Sequence, residues 1–185
     1  MVDPRPPRMS PLTDEECTPE QLALLEPLGP SSTLHIFRTL VRHPKLYRRW
    51  SPFAGRLLRG SALTDRDREL VILRVAWRCE ATYEWGQHVA IARTAGLTDE
   101  EIRRTATTSD DAGWSAGDAA LVRAVDELQD QHRIGDATWT ALSERFGDEQ
   151  LIEITMLAGA YAMLAGTLNS LGVRLEGDQP ALGEV

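Results

Sequence analysis

The chain has 185 residues, 42% of them hydrophobic and 26% charged, which fits one globular domain with a real core and excludes an extended disordered polymer. A formal net charge of −8 excludes the basic footprint that a phosphate backbone requires, so nucleic acid is not an expected partner. Cys17 and Cys79 are far apart and MVDPRPPRMSPLTDEE holds no apolar stretch, so no structural disulfide is expected and the reducing cytoplasm is the expected setting.

Residues 1–17 carry four prolines and no periodicity, which predicts an extended N-terminal arm, ordered only where it lies on something. Thr18-Pro19-Glu20-Gln21 is a helix start, with a capping side chain, Pro at the first position and Gln three after the cap. That helix should be short, ending near Leu25 before the break at Gly29-Pro30. Ser31 or Ser32 can cap a second helix running to His43. Pro44 can begin a third, KLYRRWSPFAGRLL, interrupted or kinked near Pro52. Helices are then predicted over 65–79 and 82–95, with Gly96 as a stop and Thr98-x-x-Glu101 as a capping box. TSDDAGWSAG reads as a loop. Further helices are predicted over 116–131, 136–146 and 148–171, and the segment 176–185 reads as a loose acidic tail. No stretch alternates with period two, so the fold class is all-α.

From Ile154 to Val173 there is no charged residue. This stretch is barely the ~20 residues a membrane span requires, and it is rich in Ala, Gly, Thr, Asn and Ser. It is read as a central core helix, or one shared with a neighbouring subunit, and no membrane partner is expected.

Turning the 65–79 helix at ~100° per residue spreads apolar side chains around most of its circumference. Arg74 and Arg78 form its polar wedge, to which a surface role is assigned. Glu69 falls opposite, in line with Leu73 and Ala76. A carboxylate there must be paired, hydrogen-bonded or protonated. On the next helix His88 shares a face with Trp85, Ile91, Ala92 and Ala95, and Glu84 precedes it at the i, i+4 spacing that lets the two meet. Helices joined by a short turn are neighbours, so Glu69, Glu84 and His88 can converge on one pocket with Tyr83 near its mouth. Each residue alone is accounted for by core hydrogen bonding. Two acids and a histidine aimed inward on adjacent helices point to acid/base chemistry. Trp50, Phe53, Tyr83, Trp85 and Trp114 are candidates to shape a pocket for something aromatic or unsaturated. One histidine with carboxylates is a weak metal set, and no H-E-x-x-H pattern is present, so no metal and no cofactor are expected.

Around these residues, RDRELVILRVAWRCEATYEWGQHVAIARTAGLTDEEI resembles the carboxymuconolactone decarboxylase family, which also contains the alkylhydroperoxidase D-like proteins. IFRTLVRHPKLYRRWSPFAGRLL and LNSLGV extend the resemblance over about residues 31–175, within a helical domain set at 18–175. The resemblance implies an alkylhydroperoxidase D-like helical fold and a homo-oligomer, a trimer or hexamer. Peroxidase members carry a Glu, a Cys-x-x-Cys pair and a His on the following helix. Aligned through Glu69 and His88, the cysteine positions hold Ala81 and Glu84, so the chain resembles the cysteine-free branch. Cys79, at a helix C-terminus, is read as a small buried residue.

The resemblance therefore implies a cofactor-independent, decarboxylase-like lyase acting on a small organic acid, lactone or related carbonyl compound, with isomerase or lactone hydrolase chemistry equally open. In it His88 shuttles a proton, Glu84 orients His88, Glu69 is a second acid/base group, and Tyr83 donates to a substrate oxygen. Arg74 or Arg78 is the candidate for neutralising a substrate carboxylate. The alternatives are a thiol-dependent alkylhydroperoxidase-like antioxidant protein, against which the missing Cys-x-x-Cys counts, and a non-catalytic helical assembly that binds a small ligand.

Overall fold

A computed structural model of the protein describes residues 6–185, and residues 1–5 of the expected arm lie outside the described residues. Thr18 caps the first helix, α1 (Pro19–Leu25), through the expected capping box with Gln21. A short 3-10 segment (Glu26–Thr33) follows and turns at Gly29, whose φ of +56° suits a residue without a Cβ. It replaces the first turns of the helix expected from Ser31 or Ser32, leaving α2 at His35–Leu40. α3 (Pro44–Arg59) passes through Pro52 without ending.

α4 (Asp65–Arg78) is the axis of the molecule. Thr64 caps it by accepting from Asp67 N–H, and every residue from Asp67 to Ala76 is buried. α5 (Thr82–Thr94) follows after a turn in which Glu80 adopts a left-handed φ of +51° and Ala81 N–H donates to Ala76 O at 2.8 Å. α6 (Asp99–Arg104), α7 (Ala116–Gln131) and α8 (Asp136–Ser143) complete the middle of the chain, and α9 (Asp148–Leu171) ends at Gly172 with a left-handed φ of +69°. No strand occurs among the described residues. The fold is all-α, as the periodicity predicts. α4 packs on α5, α7 and α9 at once, which is why its apolar arc is so wide.

α9 is long and apolar enough to cross a membrane by length and composition. One side of it, through Ile154, Leu157, Ala158, Tyr161, Ala165 and Leu168, is buried in the domain, and the opposite side exposes Ile152, Met156 and Met163.

Two expectations are corrected. The wedge residue Arg74 is not at the surface: it is 3% exposed, its Nε and Nη2 donate to Asp126 at 2.8 Å each, and its Nη1 donates to the Thr105 and Thr107 carbonyls. Asp126 on α7 supplies the countercharge that makes burial tolerable. Arg78, by contrast, is exposed as expected, and pairs with Asp130 and Asp126. The acidic tail is not loose. Leu182 and Val185 pack on the core, Trp85 Nε1 donates to Glu184 O at 2.8 Å, and Glu176 accepts from Tyr83 and Gln87. Apolar side chains within this charged stretch find a groove on α5, where Gly86 leaves room for Leu175 and the Pro180 carbonyl. The described part of the arm is laid down as well. Arg8 and Met9 N–H donate to Leu171 O, and Leu12 is buried beside Leu25, Val41 and Tyr47.

Candidate active site

Glu69 lies early in α4 and His88 midway along α5. Because α5 runs back along α4 from the tight turn at 79–81, the two side chains meet in the core. Glu69 is fully buried, and its Oε2 lies 2.6 Å from His88 Nδ1. Arg68 Nε donates to Glu69 Oε1 at 3.0 Å, while its Nη1 donates to Asp65 Oδ1 at 2.6 Å. A carboxylate flanked by a guanidinium is an acceptor, so the proton of the short bond is assigned to Nδ1 of His88. That choice of tautomer leaves Nε2 as the bare nitrogen. It accepts from the Tyr161 hydroxyl at 3.3 Å, and the two rings stand edge to face with centroids 5.3 Å apart. Burial pushes the Tyr161 phenol well above its ordinary value, with the Glu69 and Glu84 carboxyls adding to the effect, which keeps it a donor.

Glu84, one turn before His88, is 2% exposed, and neither carboxyl oxygen has a hydrogen-bond partner. Desolvation alone pushes its pKa up to about 8, because nothing nearby compensates a charge there. It is thus a carboxylic acid at neutral pH. Glu84, Gln87, His88 and Tyr161 line a cavity of about 140 Å³ whose walls include Phe37, Trp50, Phe53, Leu58, Ile91 and Leu164. The lining is mostly apolar with a few polar side chains, the usual form of a small-molecule site. Arg59, at the C-terminal end of α3, is an exposed part of the lining.

The structure joins Glu69 to His88 and sets His88 and Glu84 on one cavity lining, while Glu69 itself does not line the cavity. The expected pairing is different, however. Glu84 makes no hydrogen bond to His88, because Glu69 from α4 takes one ring nitrogen and Tyr161 from α9 the other. Tyr83 is not at the mouth of this cavity: its hydroxyl donates to Glu176 Oε1 at 2.7 Å and accepts from Ile36 N–H at 3.2 Å. Its hydroxyl is engaged by the tail and α2. Of the candidate aromatic walls, Trp50 and Phe53 line the cavity, while Trp85 is wholly buried and Trp114 stacks under Arg104, 5.3 Å from ring centre to guanidinium carbon. Periodicity does not reveal Tyr161 or Arg68. Tyr161 lies in the charge-free helix that otherwise reads as plain core, and Arg68 is masked by the charged first turn of α4. Among the described residues no group of three or more His, Cys, Asp or Glu side chains is placed to hold a metal ion. Cys79 has its thiol near Gln129 Oε1 at 3.7 Å, and burial, with the Glu84 carboxyl, pushes the thiol up and away from the reactive thiolate.

The sequence model of the carboxymuconolactone decarboxylase family matches residues 44–127, which span α3, α4, α5, α6 and most of α7. Among curated proteins, none matches the sequence significantly. Among solved structures, the chain is similar to an alkylhydroperoxidase AhpD core protein, described as peroxidase-related, from Ralstonia eutropha JMP134, with TM-score 0.78 and 18% identity over 98% of both chains. A peroxidase-related protein from Silicibacter sp. TM1040 gives TM-score 0.78 at 16% identity over 97% of each chain. The debrominase Bmp8, solved in a cysteine-to-alanine form with 2,3,4-tribromopyrrole, gives TM-score 0.73 at 11% identity over 91% of each. At these identities the likeness is one of fold.

Proposed function

Starting from a chain whose residues 44–127 belong to the carboxymuconolactone decarboxylase family, we propose that this protein is an acid/base enzyme acting on a small organic acid, lactone or related carbonyl compound. The single observation that carries this reading is the relay Arg68–Glu69–His88, which turns His88 Nε2 into a base facing the same cavity as the unpartnered acid Glu84. Glu69 holds the imidazole in one tautomer and stabilises the imidazolium that forms when Nε2 takes a proton. The 3.3 Å bond from Tyr161 is long enough for a substrate to displace it. Glu84 then donates to the oxygen on which charge develops. Two titratable groups with opposite roles in one pocket are what proton transfer at carbon requires. Thiol chemistry has less support, since Ala81 and Glu84 occupy the positions of the peroxidase cysteine pair and Cys79 is held as a thiol.

The test is a probe panel: benzoylacetate as a β-keto acid, an unsaturated five-membered lactone, and β-tetralone as an enolisable ketone. At least one probe should be converted, with a loss of roughly 100-fold or more in Glu69→Gln and His88→Ala and none in Cys79→Ser. A wholly inert panel, or turnover that survives His88→Ala and is lost with Cys79→Ser, sinks the proposal.

A further inference from the structure

We propose that Arg59 selects the substrate, holding a carboxylate where the cavity meets solvent while the apolar walls take the body of the molecule. This rests on the acid/base reading above and narrows its substrate class to anionic acids.

α3 places Ser51, Gly55 and Arg59 on the lining at every fourth position, so the three form one stripe along a single helix face. The stripe is built around the glycine. A Cβ added at Gly55 would lie 2.9 Å from Arg59 Nη2 and 3.7 Å from its Cζ. The guanidinium therefore folds back over Gly55, as helical side chains lean toward the N-terminus, instead of reaching past the end of α3. It is exposed and yet lies on the cavity wall, with Ser51 one turn further along the same stripe.

What this guanidinium lacks is a countercharge. Arg66, Arg68, Arg74, Arg104 and Arg145 each meet an Asp or Glu. Among the described residues Arg59 has no ion pair and no side-chain hydrogen bond, and it is the one Lys or Arg on the lining. Glu84, on the same lining, is not its partner. Burial alone accounts for the raised pKa of that carboxyl, so no cation stands beside it. The cation and the acid are therefore left to serve different groups of one ligand.

The seat fits a carboxylate. A guanidinium presents two parallel N–H donors that match its two oxygens. A phosphate monoester, with nearly two negative charges, asks for more than one cation, and the lining holds no second Lys or Arg. An exposed guanidinium also leaves the anion partly hydrated, which avoids carrying a bare charge into the apolar interior. Phe37, Trp50 and Leu164 offer apolar surface for the rest of the molecule. Glu84 and His88 remain for the group that reacts.

The experiment measures binding of phenylacetate and of its neutral isostere phenylacetamide to the whole protein by calorimetry and ligand-observed NMR at neutral pH. The acid should bind about 10-fold or more tighter than the amide, and the preference should shrink as salt is added. Arg59→Gln, an exposed substitution checked for native helix content, should abolish the preference, and Arg59→Lys, which keeps the charge without the fork, should retain part of it. Gly55→Ala keeps every charge and pushes the guanidinium off its place, so it should weaken the preference as well. His88→Ala should leave it intact. Equal binding of acid and amide, binding of neither, or a preference that survives Arg59→Gln overturns the inference. A preference lost in His88→Ala but kept in Arg59→Gln overturns it too, by moving the anion to the imidazole. The acid/base reading is decided separately by turnover of the probe panel in the His88 variant, so the two can fail independently.

Discussion

Glu69 Oε2 and His88 Nδ1 stand 2.6 Å apart in the core, and this one contact decides which nitrogen of His88 the cavity sees. The histidine could have been held by its i, i+4 neighbour Glu84, with the same residues and a different chemistry. Held instead from α4, it leaves Glu84 without a partner and free to act as an acid. Glu69→Gln should therefore lower turnover by about 100-fold with little change in KM, because the amide cannot stabilise the imidazolium. Steady-state kinetics on a converted probe check this, and unchanged kcat would show that the contact is only structural.

Glu84 gives the protein a pH dependence of definite sign. Its pKa is raised from 4.5 to about 8 by burial, so between those values the folded chain keeps a proton that the unfolded chain has released. Stability therefore falls as pH rises from about 4.5 to about 8 and is flat above, a total on the order of a few kcal/mol. Glu84→Gln removes this slope. Denaturant titrations at low and high pH should find the variant more stable than the parent only at the alkaline end; parallel profiles would refute the assignment.

Tyr161→Phe takes away the donor to Nε2 and keeps the ring that stands edge-on to His88. A loss of about 1 kcal/mol in stability is expected, as for one hydrogen bond. Denaturant unfolding of the variant beside the parent checks this, and equal stability would show that the 3.3 Å contact contributes nothing to the fold.

Arg74 separates architecture from chemistry. Its guanidinium is saturated by Asp126 and two backbone carbonyls, so Arg74→Met should cost about 3–5 kcal/mol by stranding Asp126. Activity per folded molecule should not change. A specific loss of kcat in a stably folded sample would return Arg74 to the candidates for substrate binding.

Gly86→Ala tests the docked tail. An added Cβ would lie 2.6 Å from Leu175 Cδ2 and 2.9 Å from the Pro180 carbonyl, so the tail must move. A destabilisation of about 1–3 kcal/mol is expected. Trypsin should cut faster after Arg174, and resistance equal to the parent's would mean that the groove tolerates the methyl group.

The helices and the inward faces of Glu69 and His88 are legible in the sequence because a charged residue on an apolar arc is visible without any partner. What the spacing of residues could not convey is which groups meet across helices. His88 and Tyr161 are 73 positions apart, and a tyrosine in a charge-free helix gives no sign that its hydroxyl will reach an imidazole. Arg74 and Tyr83 mislead for the same reason. The first reads as solvated because its countercharge lies on α7, and the second reads as free because its acceptor, Glu176, lies in a stretch too polar to suggest packing. The tail reads as loose because its few apolar residues have no period, and their groove exists only once α5 has folded against α4.

The docked tail also has an optical consequence. Trp77 and Trp85 lie with ring centroids 6.2 Å apart, a Cβ at Gly183 would lie 3.2 Å from Trp77 Cζ3, and Trp85 is held by Glu184 O. Lifting the tail would wet one indole and deprive the other of its hydrogen-bond acceptor, shifting emission to longer wavelength and weakening the exciton coupling of the pair in near-ultraviolet dichroism. Trp50, in the cavity wall, is a separate fluorophore that a bound aromatic ketone would quench. Replacing Trp50 with Phe would remove the cavity reporter and leave Trp77 and Trp85 to signal the tail over the steady emission of Trp114 and Trp139.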